Sequence, residues 1–298
     1  MRVYLVKLVM FIAFLAAVSC DKSRSEPQSL PAPAPTSDGL ELLSTGSAGQ
    51  RLLRYKLADG TSSTLELRME VDLATGAGGT KLPQLDLVTR VEIVDVRPNG
   101  AATLRTTILD AKMIERPGAT LPLSAVGQMA EQLKGVVTTA TIAPDGTLGD
   151  TKVDTSKVTP SLVPQLQQLT QTFEQIAMPL PATPIGVGGS WTTRKQHTQN
   201  GLAVTTVTTI KVTSIDGDRI GIASQSTLTA PDQTIDQAGT KVDVKDIGGS
   251  SSLSGTIDLA KVTLVGESTS EFRGSMSSLG QQIAMRLAMK LTFTAPDR

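Results

Sequence analysis

Leu65-Glu66-Leu67-Arg68-Met69-Glu70-Val71-Asp72-Leu73 is the stretch that decides the fold class of this chain. Apolar and charged side chains alternate strictly along it. A period of two places all the apolar side chains on one face of an extended strand, so the stretch predicts a half-buried β-strand. The same alternation returns in residues 282–294, where one face carries Ile283, Met285, Leu287, Met289, Leu291 and Phe293.

Further strands are predicted between these two. β-branched runs occupy residues 86–97, 101–111, 136–143, 202–215, 219–229, 252–259 and 262–273. Asp-Gly or Asn-Gly pairs, which tolerate the backbone of tight hairpin turns, lie between such runs at 59–60, 99–100, 145–146, 200–201 and 216–217. The sequence therefore predicts a mainly β fold (β-rich α+β), with large, curved antiparallel sheets built from hairpins.

Two segments carry helical spacing. In residues 161–177 the apolar side chains recur every three or four residues, with Pro164 in the first turn and Pro179 after the end. A shorter helix is predicted from Ser124 to Leu133. Each has one apolar stripe, so we expect these amphipathic helices to pack on a sheet.

The strand pattern also contains an internal sequence repeat. Residues 88–93 (VTRVEI) resemble residues 207–212 (VTTIKV), and a turn and a further strand follow each. We interpret residues 45–298 as a single β-rich domain. Its two related halves, about 49–155 and 186–298, are joined by the helix at 161–177.

The N-terminus has a different character. Arg2 and Lys7 precede an unbroken apolar run over residues 8–18, which is too short to span a bilayer. The run ends in Leu15-Ala16-Ala17-Val18-Ser19-Cys20, and Cys20 is the only cysteine. This pattern resembles the lipobox signal peptide of bacterial lipoproteins, although the family prefers Leu where this chain has Ala17. The alternative is a plain secretory peptide with an incidental cysteine.

The resemblance implies that residues 1–19 are a signal peptide and that Cys20 becomes the acylated first residue of the mature protein. Two or three acyl chains anchor a protein to a membrane durably where one does not. The expected location is the bacterial cell envelope. Asp21 resembles an inner-membrane retention signal of enteric bacteria, a rule that does not hold in all bacteria, so inner and outer membranes both stay open.

Residues 20–44 are predicted to be the lipidated cysteine and a disordered tether. The segment is rich in Ser and Pro and includes the run Pro31-Ala-Pro-Ala-Pro35. Such a composition buries too little apolar surface to fold.

Composition excludes several partners. The whole chain has 28 Lys+Arg and 28 Asp+Glu, and removal of Arg2 and Lys7 with the signal peptide leaves a formal charge of −2. Five aromatic residues remain after residue 19: Tyr55, Phe173, Trp191, Phe272 and Phe293. The chain therefore has neither the basic surface nor the stacking platforms of a nucleic-acid-binding protein, and carbohydrate is also disfavoured.

Catalytic chemistry is poorly represented. The single histidine, His197, lies in a polar hairpin arm, and one histidine with one cysteine supplies no zinc motif. Asp216-Gly217-Asp218 is better explained as a hairpin turn than as a calcium site. Asp243 and Asp246 are three residues apart near a Gly/Ser-rich loop (248–252), without supporting partners. We predict no enzyme, no metal and no cofactor.

The apolar strand faces suggest one candidate site. A curved sheet covered by helices can enclose an apolar cavity, as envelope lipid carriers of the half-barrel type do, and Met adapts to irregular ligand shapes. The residues predicted to line such a cavity are Met69, Trp191, Met285, Met289 and Phe293. The alternative is that these side chains simply fill the core.

Three functions remain open. The first is a non-enzymatic binding or interaction module, anchored through Cys20 and facing an envelope protein partner or the cell wall. The second is a carrier of lipid or another apolar ligand in a cavity between curved sheet and helix. The third, an enzyme, would require a cleft around His197 or the pair Asp243 and Asp246.

Overall fold

The computed structural model describes residues 39–47, 49–76, 78–154, 177–199, 202–237, 240–278 and 281–296. The predicted signal peptide, Cys20, most of the tether and residues 161–176 of the predicted linking helix lie outside these ranges.

The described chain forms strands and one short helix. The strands are β1 (Gly39–Ser44), β2 (Ser62–Thr75), β3 (Gly78–Lys81), β4 (Gln84–Val94), β5 (Ala102–Ile114), β6 (Val137–Ile142), β7 (Leu148–Asp154), β8 (Ser190–Gln199), β9 (Leu202–Asp216), β10 (Arg219–Thr229), β11 (Gln233–Gln237), β12 (Thr240–Asp258), β13 (Thr263–Ser278) and β14 (Gln281–Thr294). The helix α1 is Leu123–Glu131. Hairpin turns at three of the predicted Asp-Gly and Asn-Gly pairs account for much of this pattern, with Gly100, Gly146 and Gly217 all at positive φ. Gly60 is also at positive φ, in the turn that leads into β2.

All strands belong to one antiparallel sheet, which confirms the mainly β prediction. Its order is β1-β8-β9-β10-β12-β13-β14-β2-β4-β5-β6-β7, with β3 added to β2 and β11 added to β12. The order does not close on itself, so β1 and β7 are edge strands. The central contact joins β2 to β14, where Leu67 is opposite Phe293 and Val71 is opposite Met289.

The sheet curls strongly. Nine strand-to-strand steps separate β8 from β6 in the order, and at about 4.8 Å per step a flat sheet would hold them roughly 43 Å apart. Yet adjacent residues of one segment reach both. Trp191 in β8 donates from Nε1 to the Pro179 carbonyl at 3.1 Å, and the Leu180 amide donates to the carbonyl of Asp145, in the β6–β7 turn, at 2.7 Å. The two ends of the sheet are therefore brought together at one end of the strands.

Two coil segments fill that end, and we call them the plug: residues 49–57 and 177–189. Arg51 and Ile185 form a backbone bridge between them. The Tyr55 amide donates to the Pro144 carbonyl at 2.8 Å, and the Lys56 amide donates to the Leu259 carbonyl at 2.9 Å. The plug therefore ties the β6–β7 and β12–β13 turns together, and these turns lie far apart along the sheet.

The fit at the plug is close. A side chain on Gly146 would overlap the Met178 carbonyl and the Tyr55 ring, and Gly146 is also at φ 82°. Only glycine satisfies both the turn conformation and this approach.

The helix α1 lies near β5, with Val126 and Ala130 buried, four residues apart on one face. It corresponds to the short predicted helix. The second predicted helix, at 161–177, falls almost entirely outside the described residues. The two predicted halves lie side by side in a single sheet, and their relation as a repeat is not confirmed.

Two predicted boundaries are corrected. Residues 39–44, assigned from sequence to the disordered tether, form β1, which pairs with β8 and places Leu42 opposite Trp191. Residues 248–252, interpreted as a Gly/Ser-rich loop, lie within β12, between β10 and β13. At 248–252 pairing on both sides overrides a local composition that disfavours strands, whereas at 39–44 the Pro-rich composition of the preceding residues does not extend into the strand.

Candidate functional site

The register of the sheet defines which side chains share its inner face, because directly opposed residues point to the same side. On β14, β2 and β4 the inner face is mainly apolar, with Ser63, Thr75 and Thr89 as its hydroxyl-bearing residues. Its side chains form the main hydrophobic core with Trp191 and with parts of β5, β8, β9 and β10. Leu67, Leu87, Val91 and Leu287 are each at most 4 % exposed. We call this surface the apolar face.

The inner face of β9, β10, β12 and β13 differs in its middle. There the inward positions are small and hydroxylated, and we call them the hydroxyl band: Thr206, Thr208, Ser224, Ser226, Ser251, Ser268 and Ser270. Four of them form one row across four strands. Thr208 is opposite Ser226, which is opposite Ser251, which is opposite Ser270.

The band is incompletely covered. Thr208, Ser224, Ser226, Ser251 and Ser268 are half-buried, whereas Thr206 and Ser270 are buried. On the apolar face most inner positions of β14, β2 and β4 are buried, and Met69 is half-buried. Leu253 in β12, beside the band, is half-buried too. The inner face is therefore filled on one side of the sheet and partly open on the other.

Hydrogen bonding within the band is also incomplete. The hydroxyls of Thr208 and Ser226 are 2.8 Å apart and form one hydrogen bond, in which either oxygen can be the donor. Thr206 is 5 % exposed, and its hydroxyl has no hydrogen-bond partner among the residues that the structure describes. A buried hydroxyl without a partner is unfavourable, so the band has capacity for a further polar group.

Apolar groups border the band on both sides. A second, smaller cluster lies beyond it and consists of Leu202, Val204, Leu228, Ile235, Val242 and Val244. Phe272 packs against this cluster and the main core, and its ring occupies the place where a side chain on Gly249 would lie. On the other side, Ser270 is opposite Met289 and Ser268 is opposite Leu291.

The structure places the predicted cavity residues in the main core. Met285, Met289 and Phe293 are 9, 7 and 5 % exposed on the inner face of β14, and Met69 is half-buried opposite Leu291. Trp191 is 0 % exposed and hydrogen-bonded to the plug. Four of the five therefore share two adjacent strands beside the hydroxyl band, and Trp191 anchors β8.

The residues considered from the sequence as catalytic or metal-binding candidates do not form one site in the structure. His197 lies in β8 opposite Val204, in the expected hairpin arm. Asp243 and Asp246 lie in β12, both exposed. Asp243 accepts a hydrogen bond from the Thr234 hydroxyl at 2.6 Å, and Asp246 is in a bulge at φ 55°. Asp216 to Asp218 form the β9–β10 turn, where Asp218 pairs with Lys56 at 2.7 Å.

A pocket of about 330 Å³ lies on the outer side of the sheet, over β2 and β14. Its lining is Asp72, Leu73, Ala74, Gly79, Thr80, Lys81, Gly118, Thr120, Arg286 and Ala288. Beside it, Arg116 binds Glu70 at 3.1 Å and Asp72 at 2.8 Å. None of the five predicted cavity residues contributes to this pocket. Within the described ranges, no group of three or more His, Cys, Asp or Glu residues is arranged to hold a metal ion.

Titration is perturbed at the plug. Burial raises the pKa of Tyr55 to about 12, although the hydrogen bond that its hydroxyl accepts from the Met178 amide at 2.9 Å acts in the opposite direction. On the exposed surface, the hydrogen bond from Lys112 lowers the pKa of Asp110. We attribute both pKa shifts to the fold rather than to a binding site, because neither Tyr55 nor Asp110 lies on the hydroxyl band.

Sequence reasoning missed the hydroxyl band. Its members alternate with polar outer residues, so β9 and β12 show no amphipathic contrast at these positions. The available signal was the position of the flanking apolar residues. Val204 and Ile210 are an even number of positions away from Thr206 and Thr208. Since alternate residues of a strand point to the same face, both threonines belong to the inner face.

These features define the molecule as an open, curled antiparallel sheet with a two-part inner face. A family model described as a family of unknown function (DUF6263) matches residues 165–262, less than half of the chain. In the described part, this span contains β8 to β12 and most of the hydroxyl band.

Among solved structures, the chain matches DynF from the dynemicin biosynthesis pathway of Micromonospora chersina. The two are 8 % identical, and the match covers 90 % of this chain and 94 % of that chain with a TM-score of 0.23. A likeness at this level carries no argument about fold or function. No curated protein matches the chain. In the part of the chain described here, no helix has the length and apolarity needed to cross a membrane.

Proposed function

We propose that this protein is a non-enzymatic binding module of the bacterial envelope, anchored through acylated Cys20, and that it carries an apolar ligand on the inner face of its sheet. One observation carries the choice of ligand: the inner face is half-buried along most of the hydroxyl band, including Ser268, which is opposite Leu291. A surface that faces inward and is bordered by apolar groups can receive an apolar molecule.

The adjoining side chains fit this role. Met69 and Met289 lie on adjacent strands at the border of the band, and Leu253 and Phe272 are half-buried next to it. Met side chains adjust to irregular shapes without strain. The proposal also includes two features that were predicted from sequence. These are the amphipathic helix at 161–177 and the relation between the two β-rich halves.

Ligand carriage is tested by native mass spectrometry of the mature chain, residues 20–298 with Cys20→Ser, exported to a bacterial periplasm and purified without detergent. We expect a fraction with extra mass that resolves to a small apolar molecule on denaturation. Met289→Trp should fill the border of the band and remove this fraction, whereas Ala288→Ser, on the outer face of β14, should retain it. A bare mass after exposure to envelope lipids would contradict the proposal.

Anchoring is tested separately in the full chain. Cys20→Ala should release the protein from the membrane fraction and abolish incorporation of labelled fatty acid, because the thiol is the site of acylation. Ser19→Ala, which keeps the cysteine and a small neighbour, is the matched control. A Cys20→Ala variant that stays acylated would refute the lipobox prediction.

A protein partner is the second candidate, and the edge strand β1 favours it. Among the described strands β1 pairs only with β8, which leaves its other edge open in that part of the chain, and Leu40 and Leu43 are 38 and 52 % exposed. An exposed edge can accept a strand from another chain. A photo-crosslinking residue at Leu43 should then give one discrete adduct in cells, and the same residue at Glu271, on the outer face of β13, should not.

A further inference from the structure

The cross-strand row is the starting point. Thr208, Ser226, Ser251 and Ser270 are direct neighbours across β9, β10, β12 and β13. Each hydroxyl can donate one hydrogen bond and accept two. The row therefore offers a line of donors and acceptors on the inner face, between two hydrophobic clusters.

Thr206 gives an independent indication that a polar group belongs there. Its hydroxyl is buried, and no partner for it exists in the described part of the chain. It lies on the inner face of β9, two residues before Thr208 in the row. A bound polar atom at this place would satisfy a donor or acceptor that the protein leaves unpaired.

The charge of that polar group follows from what surrounds it. Along the band the charged residues of these strands occupy the alternate, outward positions: Lys211 in β9 and Glu271 and Arg273 in β13 are exposed. The band itself has only neutral hydroxyls. One cation does lie on the inner face, since Lys195 in β8 is opposite Thr206 at the β9 end of the band. Ser251 and Ser270 are three and four strands away from β8, so a charge placed beside them would be removed from water without a nearby counter-ion, which is strongly unfavourable, whereas an uncharged hydrogen-bonding group meets its partners.

We propose that the hydroxyl band holds the polar end of the ligand and that this end is uncharged, such as a hydroxyl, an ester or an amide. This inference rests on the proposed carriage of an apolar ligand and specifies its chemical class. The apolar part of the ligand then lies toward Met289 and Leu291, which are opposite Ser270 and Ser268.

The test compares three probes of equal chain length: 1-dodecanol, laurate and dodecane. Each displaces the neutral dye N-phenyl-1-naphthylamine from the mature chain, residues 20–298 with Cys20→Ser, at pH 8. We expect 1-dodecanol to bind at least tenfold more tightly than either laurate or dodecane, since one net hydrogen bond corresponds to about a tenfold change in affinity.

Removal of the band hydroxyls should remove the preference. In Ser226→Ala/Ser251→Ala/Ser270→Ala, the affinity for 1-dodecanol should fall about tenfold, to that of dodecane, while the affinity for dodecane stays the same. The matched control is Ser250→Ala/Ser252→Ala/Ser254→Ala, which removes three exposed hydroxyls from the outer face of β12 and should bind all probes as the parent does.

A single substitution separates binding from folding. Thr206→Val removes the unpaired hydroxyl without a large change in volume, so the midpoint of thermal unfolding should rise while the affinity for 1-dodecanol falls. A merely structural hydroxyl would not move these two quantities in opposite directions.

The possible failures are distinguishable. If the parent binds 1-dodecanol no better than laurate or dodecane, or if the triple alanine variant keeps its preference, the head-group inference is overturned while ligand carriage stands. If none of the three probes displaces the dye, both proposals are overturned.

Discussion

The apolar face and the hydroxyl band are two parts of one continuous inner surface, and they meet where β13 pairs with β14. On one side of this border Leu287, Met289 and Leu291 are buried; on the other side Ser268 is half-buried. Both parts have the same alternation and the same antiparallel register. The difference teaches that inward orientation alone does not make a core, because burial is stabilising only where the inward side chains are apolar and large enough to fill the space.

The energetic roles of the two parts therefore differ. Burying a Leu or Met side chain contributes about 1.5–3 kcal/mol. A small hydroxyl contributes little when it is paired and is unfavourable when it is buried alone, as with Thr206. We expect the apolar face to determine stability and the hydroxyl band to determine what is bound.

The largest effect is expected from truncations on the two sides of this comparison. Leu87 is 1 % exposed in β4, so Leu87→Ala should lower the free energy of unfolding by about 3 kcal/mol through lost burial and a residual cavity. Leu253→Ala, beside the band, should lower it by only about 1 kcal/mol because Leu253 is half-buried. Chemical denaturation measures both. Equal losses would show that the band side is packed as tightly as the apolar face.

The next effect concerns the plug, which closes one end of both faces. The pKa of Tyr55 is raised to about 12 in the folded protein and is about 10 in an unfolded chain. Below pH 10 the phenol is neutral in both states and its contribution is fully present. Between pH 10 and 12 the unfolded state loses its proton first, so stability should fall by about 2–3 kcal/mol. Urea titrations across this range measure the slope, and Tyr55→Phe should remove it.

A matched pair of threonines gives the next prediction, with opposite signs. Thr89, on the apolar face, donates its hydroxyl to the Leu65 carbonyl at 3.3 Å, whereas Thr206 has a buried hydroxyl without a partner among the described residues. Thr89→Val should destabilise the fold by about 1 kcal/mol, and Thr206→Val should stabilise it by a similar amount. Two shifts of the same sign in the denaturation midpoint would refute the distinction between the faces.

The smallest effect is expected on the outer side of the border. Arg286 in β14 and Glu271 in β13 form an ion pair at 3.4 Å with side chains 71 and 64 % exposed. Glu271→Gln should change the free energy of unfolding by less than about 0.5 kcal/mol, because exposed pairs are screened by water and salt. A larger loss would show that side chains on the outer face also stabilise the contact between β13 and β14.

The amphipathic strands were predictable because their chemistry is local. In β2 and β14 an inward apolar residue alternates with an outward polar one, and the phase found from sequence is the phase observed. The helix α1 was similarly visible through the spacing of Val126 and Met129, although it ends at Glu131, before the predicted end at Leu133. In each case the signal depends on residues within one element.

The remaining features depend on contacts between distant residues. Residues 248–252 look like a loop until β10 and β13 supply pairing on both sides, and β1 looks like tether until β8 supplies one side. The sequence predicted a curved sheet, but not the extent of its curl. That extent depends on backbone hydrogen bonds of Tyr55 and Leu180, and a backbone hydrogen bond leaves no mark on the amino-acid sequence.

The pairing of β2 with β14 has a consequence for how the chain reaches its native state. β2 is the first long strand of the described chain, and one of its three pairing partners, β14, is the last. Until β14 arrives, a hairpin of β2 and β4 exposes an amphipathic edge, the kind of surface that promotes intermolecular association. Contacts between segments so distant in sequence also slow folding, since a large loop must close before they form. A chain built in this way is expected to complete its sheet only after β14 has been synthesised.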